Sequence, residues 1–237
     1  EVVLDIETDD LNATVVHCIV AKETKTGKVH TFTGEDCYSK FPAFSKTVSK
    51  FIMHNGISFD APVLNRLTGS DIQLDRIEDT LILSQLVNPV RDGGHSLEAW
   101  GETLRFPKIV FNDWSHFSDE MLTYCIQDVE LTFKVWLTLQ QEVSKISRHC
   151  VELEYKIRQL INEQERNGFT LDIQKAMLLV SSLKDKAAHL QEEVKQIFKP
   201  LPVGTRLATP KIKANGQLSS VGLRHIDNLA YVAGPHT

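Results

Sequence analysis

The chain opens on a strand that carries two charges it has no ordinary reason to carry. Glu1-Val2-Val3-Leu4-Asp5-Ile6 is apolar and rich in β-branched residues, yet Asp5 and then Glu7 interrupt it. Side chains alternate across a strand, so acids two positions apart share one face. There they repel each other unless positive charge lies between them. Taken alone, the pair also reads as a solvated strand end.

Two more segments carry acids in constrained places. In His54-Asn55-Gly56-Ile57-Ser58-Phe59-Asp60 a strand ends in a glycine turn, and Asp60 falls in the first turns of a helix. Alone, Asp60 is accounted for by the helix dipole. In Tyr124-Cys125-Ile126-Gln127-Asp128, Tyr124 and Asp128 stand four apart on one helical face, beside the apolar Met121 and Leu131. An acid on an inward-facing stripe is costly unless paired or bound to a metal; the alternative is a structural hydrogen bond from the tyrosine. Together, Asp5, Glu7, Asp60 and Asp128 form a set of hard oxygen donors, which favours Mg²⁺ or Mn²⁺ over zinc. Two such ions are the standard device for phosphodiester hydrolysis, one activating water and one stabilising the leaving oxygen.

The surrounding pattern gives the fold class. Val15–Ala21 and Val29–Thr33 read as further strands, separated from their neighbours by Gly27 and Gly34. A helix is expected over Ala43–Lys50, a strand at Phe51–His54, and a helix near Ser58–Leu67. Thr80–Val87 fits a strand or a helix. Ser96 caps a helix over Leu97–Leu104, and Ser118 caps a long one to Val143. Strands followed by alternating strand and helix predict an α/β domain, a mixed sheet flanked by helices, over residues 1–142. Leu153, Ile157, Leu160 and Ile161, then Ile173 to Ile197 in steps of four and three, predict a helical hairpin over 143–198. Residues 199–237 read as a basic, loop-rich tail.

Composition narrows the function. Twenty-six basic against 31 acidic residues give −5, and with +4 in the tail the first 198 residues sum to −9, which argues against nucleic-acid binding by bulk electrostatics. Cys18, Cys37, Cys125 and Cys150 form no CxxC pair, so a zinc knuckle or disulfide framework has no support, and a cytoplasmic setting is expected. No run of about 18 apolar residues is present to cross a membrane. A start without Met, inside a strand, suggests a fragment.

The runs DIETDDL, HNGISFDAPVL and YCIQDVELT resemble the three exonuclease motifs of the DEDD superfamily, in its tyrosine (DEDDy) branch, because Tyr124 stands four before Asp128. The resemblance implies a ribonuclease H-like fold, two divalent ions on Asp5, Glu7, Asp60 and Asp128, and removal of nucleotides from a DNA 3′ end. It makes Tyr124 the group that orients the attacking water; its ordinary pKa of about 10 makes it a poor base. Asp79-Thr80-Leu81, Gly94-His95-Ser96-Leu97-Glu98-Ala99-Trp100-Gly101, Glu163–Phe169 and Tyr231–Gly234 are similar to family A DNA polymerases of short-tailed phages. This implies a proofreading module, with the start of a thumb, whose partners are a single-stranded DNA 3′ end and a polymerase core absent from the sequence. A monomer without polymerase activity is expected.

By position, the resemblance implies DNA contacts from Thr8, Leu11 and Asn55, with Leu11 as a wedge against the terminal base. Phe59 and Trp100 are expected in the core, and His95 in a loop beside the helix cap. Two other readings stand beside this one. They are a free-standing DEDDy exoribonuclease resembling ribonuclease D and an inactive binding scaffold.

Overall fold

The β-branched runs of the first thirty residues form a three-stranded meander. Strand β1 (Val2–Thr8) pairs antiparallel with β2 (Val16–Glu23), which pairs antiparallel with β3 (Val29–Thr33). Gly27, at φ +72°, closes the β2–β3 turn in a conformation that suits glycine. On the other side of β1 the sheet becomes parallel, through β4 (Phe51–Met53) and β5 (Ile77–Asp79), giving the order β3-β2-β1-β4-β5. Parallel neighbours require crossovers. These contain the short helices α1 (Asp36–Ser39) and α2 (Phe41–Thr47), then α3 (Asp60–Thr68). β1 therefore lies at the centre of a mixed sheet, as expected. The computed structural model describes residues 1–198.

The sheet buries both faces. Val3, Cys18, Val20 and Ile52 meet Met121, Cys125 and Val129 of α6 (Asp119–Val143), while Leu4, Ile6, Ile19 and Phe51 belong to the core on the other side. Alternation along β1 thus sends its odd-numbered residues, Asp5 and Glu7 among them, toward α6. The ambiguous run Thr80–Val87 is helix α4, and the sequence reading missed the three-residue strand β5 before it. Helix α5 (Leu97–Thr103) starts at Ser96, whose hydroxyl accepts from the Ala99 N–H. Trp100 is buried and donates from its indole to Ser84 Oγ, which also bonds His95 in the adjoining loop.

Compactness divides the chain at a different place from the expected sequence boundary at 142. The chain divides into two compact units, Glu1–Gly168 and Phe169–Thr237. Helix α7 (Arg148–Asn167) belongs to the first, because Val151 and Tyr155 are buried there and the same face continues in polar bonds. Arg158 Nε donates to Ser58 Oγ at 2.7 Å and Asn162 Nδ2 to the Ile57 carbonyl at 3.1 Å. The stripe read from sequence is on another face: Leu153, Ile157 and Leu160 are exposed. In the second unit, helix α8 (Ile173–Ile197) is capped by Asp172, and its apolar residues, Met177, Leu183 and Leu190 among them, are also exposed. The predicted tail 199–237 lies outside the described residues. Among the described residues no helix is long and apolar enough to cross a membrane.

Asp79, at the end of β5, ties these elements together. Its buried carboxylate accepts from four backbone N–H groups, those of Leu81 and Ile82 at the start of α4 and those of Asn55 and Ile57 in the loop after β4. Its own N–H donates to Tyr155 Oη at 2.9 Å. Tyr155→Phe removes that acceptor and leaves a buried N–H unpaired. The expected cost is about 1–3 kcal/mol, read as a lower urea midpoint with an unchanged slope; an unchanged midpoint would show that the bond contributes nothing to stability.

Candidate active site

Three elements bring acids close enough for Asp5 to feel the charges of the other three. From β1 come Asp5 and Glu7, paired in register with Val20 and Cys18. Glu7 is buried, and that burial, with Cys18 and Asp128 nearby, pushes its carboxyl up to about 9. Asp5 keeps part of its surface open, yet burial and then the Glu7, Asp60 and Asp128 charges raise it well above the carboxylate range. Cys125 Sγ donates to Asp5 Oδ2 at 3.7 Å, and its sulfur lies close enough to Asp5 and Glu7 to complete a three-donor cluster.

Asp60 is the first residue of α3, placed by the loop that Asp79 holds. In that loop Asn55 adopts φ +68°, and its carbonyl accepts from the Ser58 and Phe59 N–H groups. The next position requires glycine: a methyl on Gly56 would lie 2.4 Å from Met53 Cβ. Asp60 is buried, and desolvation raises its carboxyl to about 7, against the pull of N–H groups at Asp60 and Ile6.

From α6 come Tyr124 and Asp128, one turn apart. Asp128 is buried, and desolvation raises its carboxyl although Lys108 and Tyr124 both favour the ionised form. One oxygen, Oδ2, pairs with Lys108 Nζ at 2.5 Å, while Oδ1 is buried with no hydrogen-bond partner among the described residues. Tyr124 is raised to about 12 by burial first, so its phenol keeps its proton at neutral pH. Phe111 and Trp114 enclose its ring, with centroids 5.7 and 5.6 Å away.

Comparison with known proteins identifies the family. The family model described as 3′-5′ exonuclease (DNA_pol_A_exo1) matches residues 1–144, which contain all four acids and Tyr124. The chain belongs to this 3′-5′ exonuclease family. Among curated proteins it is similar to the DNA-directed DNA polymerases of Enterobacteria phage T3 and Escherichia phage T7, each 25% identical, with alignments that cover 99% and 100% of this chain. The chain spans about half of their length, 46% in each case. The DNA polymerase of Mycobacterium phage D29 is 29% identical over 54% of the chain and 25% of that protein. Brucella melitensis NrnC, solved with bound Mg²⁺, shares the fold at a TM-score of 0.56 and 24% identity, covering 70% of this chain and 85% of that one.

Of the DNA contacts expected of this exonuclease domain, Leu11 is the most exposed. It lies beside a hollow of about 380 Å³ lined also by Glu7, Thr8, Phe59 and Trp114. Asp9 fixes the loop behind it by accepting from the Thr14 and Val15 N–H groups. Thr8 is buried and its hydroxyl donates to the Asp10 carbonyl at 2.9 Å. Asn55 is half-buried in the loop that leads to Asp60. Phe59 packs against the core and also lines the hollow. Sequence reasoning missed Lys108, Phe111 and Trp114, all in a loop without period. The nearest signal was one basic residue among aromatics just before the helix that bears Asp128.

The raised carboxyls set a pH dependence for the exonuclease domain. A carboxyl whose pKa rises on folding holds its proton after the unfolded chain has lost it. Its contribution to stability is therefore present below the unfolded value and lost as pH climbs through the folded one. In EDTA, stability is expected to fall between about pH 4 and about pH 9, a window set by Asp60 and Glu7. Glu7→Gln should raise Tm at pH 8 by roughly 2–4 °C, the effect of about 1 kcal/mol in a protein of this size. Equal melting curves for variant and parent at pH 8 would count against the assignment.

Proposed function

We propose that this chain removes nucleotides from DNA 3′ ends, with Asp5, Glu7, Asp60 and Asp128 holding two divalent metal ions, Mg²⁺ or Mn²⁺. One observation carries the reading. Asp5 lies close enough to Glu7, Asp60, Asp128 and Lys108 to feel the charge of each, and an oxygen of Asp128 is buried without a partner among the described residues. Such a donor set fits hard cations. When bound, the ions supply the charge that activates water and stabilises the leaving oxygen.

The chain's own groups do the rest. Tyr124 keeps its proton, so it orients water by hydrogen bonding and does not act as the base. Asp60 and Asp128 sit on helices anchored by packing, so little reorganisation is needed on binding. Leu11 and Trp114 flank the hollow beside Glu7 and offer apolar surface to the terminal base. Stacking of that kind contributes about 1–3 kcal/mol per base on aromatic surfaces. A mismatched end already lacks pairing and stacking, so it reaches the hollow at lower cost. That preference is what proofreading requires.

Relatives named DNA-directed DNA polymerase support DNA as substrate and a polymerase core as the working partner. The test uses 3′-labelled single strands of DNA and of RNA with the same sequence, with Mg²⁺ or with EDTA. DNA shortening is expected with Mg²⁺ alone. Asp5→Ala or Asp128→Ala should lower it at least about 10²–10³-fold, and Tyr124→Phe about 10–100-fold. Shortening of RNA with DNA untouched would replace this reading by the exoribonuclease one.

A further inference from the structure

Lys108 reaches the acids from a loop that has no secondary structure of its own, between α5 and α6. Its position is nevertheless fixed. The side-chain amide of Gln127 donates from Nε2 to the Pro107 carbonyl at 2.7 Å and accepts at Oε1 from the Ile109 N–H at 2.8 Å. One glutamine therefore grips the backbone on both sides of Lys108, and it is the residue immediately before Asp128. The farther part of the loop is held as well. Phe111 and Trp114 pack on Tyr124, and the Trp114 carbonyl lies 3.1 Å from His17 Nε2. The ammonium sits 4.7 Å from the centroid of the Tyr124 ring and 2.5 Å from Asp128 Oδ2.

This geometry has a consequence for cations. Any divalent ion that uses Asp128 meets a positive charge tethered on the same carboxylate. Taking the proposed metal site as given, we propose that Lys108, clamped by Gln127, is a built-in competitor for Asp128 that weakens metal binding until substrate arrives. Displaced from Asp128, the ammonium remains on its tether beside the hollow. Its closest new partner is then the phosphodiester of a bound strand, whose charge also favours the metal. Full metal occupancy thereby becomes coupled to the presence of nucleic acid.

The test is Mn²⁺ binding to the full chain without DNA, followed at pH 8 and fixed ionic strength by the spin-resonance signal of free Mn²⁺. Lys108→Met removes the competitor and should tighten the weaker Mn²⁺ site roughly tenfold, as expected when one adjacent like charge is lost. Gln127→Ala keeps the ammonium but releases its backbone, and should tighten the same site by a smaller factor. Lys108→Arg should keep the parent's affinity. Adding a single-stranded deoxyoligonucleotide should tighten Mn²⁺ binding more in the parent than in Lys108→Met. Unchanged or weaker Mn²⁺ binding in folded Lys108→Met overturns the proposal, as does equal enhancement by the oligonucleotide in both. Should Lys108→Met not fold, an unchanged affinity in Gln127→Ala overturns it instead. Full Mn²⁺ binding in Asp5→Ala is a separate failure, because it removes the metal site itself and the competitor with it.

Discussion

Everything about this domain turns on holding four carboxyl groups together where water is scarce. Like charges at such range repel, and burial penalises each ionised form. The fold tolerates this because no acid depends on its neighbours for its place. Asp5 and Glu7 ride on the central strand, fixed by pairing on both sides. Asp128 rides on α6, fixed by Met121, Cys125 and Val129 against the sheet. Among the described residues, Lys108 sets its ammonium against these carboxyls through Asp128. Burial first raises proton affinity, Glu7 to about 9 with Cys18 and Asp128 adding to it, and Asp60 to about 7 with Asp79 adding to it. Added cations relieve the same penalty, so proton uptake and metal uptake are alternative responses to one constraint.

Asp79 shows what a structural acid looks like in the same neighbourhood. It too is buried, close enough to Asp60 for its charge to be felt. Yet its two oxygens are satisfied by four backbone N–H groups from two elements. Three of those bonds go to Oδ1 and one to Oδ2, so both oxygens are already engaged by the backbone. Asp128 is the opposite case, with one oxygen on a lysine and the other unpartnered among the described residues. Satisfaction of the oxygens, more than burial or proton affinity, separates Asp79, which ties the backbone together, from Asp128, which is proposed to bind metal. Asp79 also connects the β4 loop to α4 and, through Tyr155, to α7. The helix read as the start of a separate hairpin is therefore part of the support for Asp60.

What was legible in the sequence follows from how far each signal extends along the chain. Alternation places Asp5 and Glu7 on one face, and a four-residue step places Tyr124 over Asp128, because strand and helix impose those periods locally. Ser96 and Ser118 mark helix starts through hydrogen bonds that span only three residues. The three-residue β5 is too short to show alternation, and its place is set by pairing with β4. In α7 the apolar count favoured Leu153, Ile157 and Leu160, whereas the face that docks is Val151, Tyr155, Arg158 and Asn162. Half of that face is polar and bonds to atoms about a hundred residues away, so hydrophobic periodicity passes over it. Lys108 is invisible for the same reason. Its meaning comes from Asp128 and Gln127, twenty and nineteen positions later, across a loop without period.

Cys125 is the group whose role geometry alone leaves double-edged. Its sulfur stands with Asp5 and Glu7 at spacings that suit a metal, and a thiolate there would draw the site toward softer ions such as zinc. The electrostatics argue otherwise. Burial, contact with Cys18 and the adjacent acids push the thiol far above neutrality, so it holds its proton. A protonated thiol is a hydrogen-bond donor, and Cys125 points that proton toward the carbonyl and carboxylate of Asp5, at 3.5 and 3.7 Å. It also fills the apolar layer beneath the site with Cys18 and Val129. Metal binding would have to remove a proton from a buried sulfur among carboxylates, whereas Asp128 already offers a free oxygen. The protonated sulfur therefore suits the proposed oxygen-donor site as its floor, orienting Asp5.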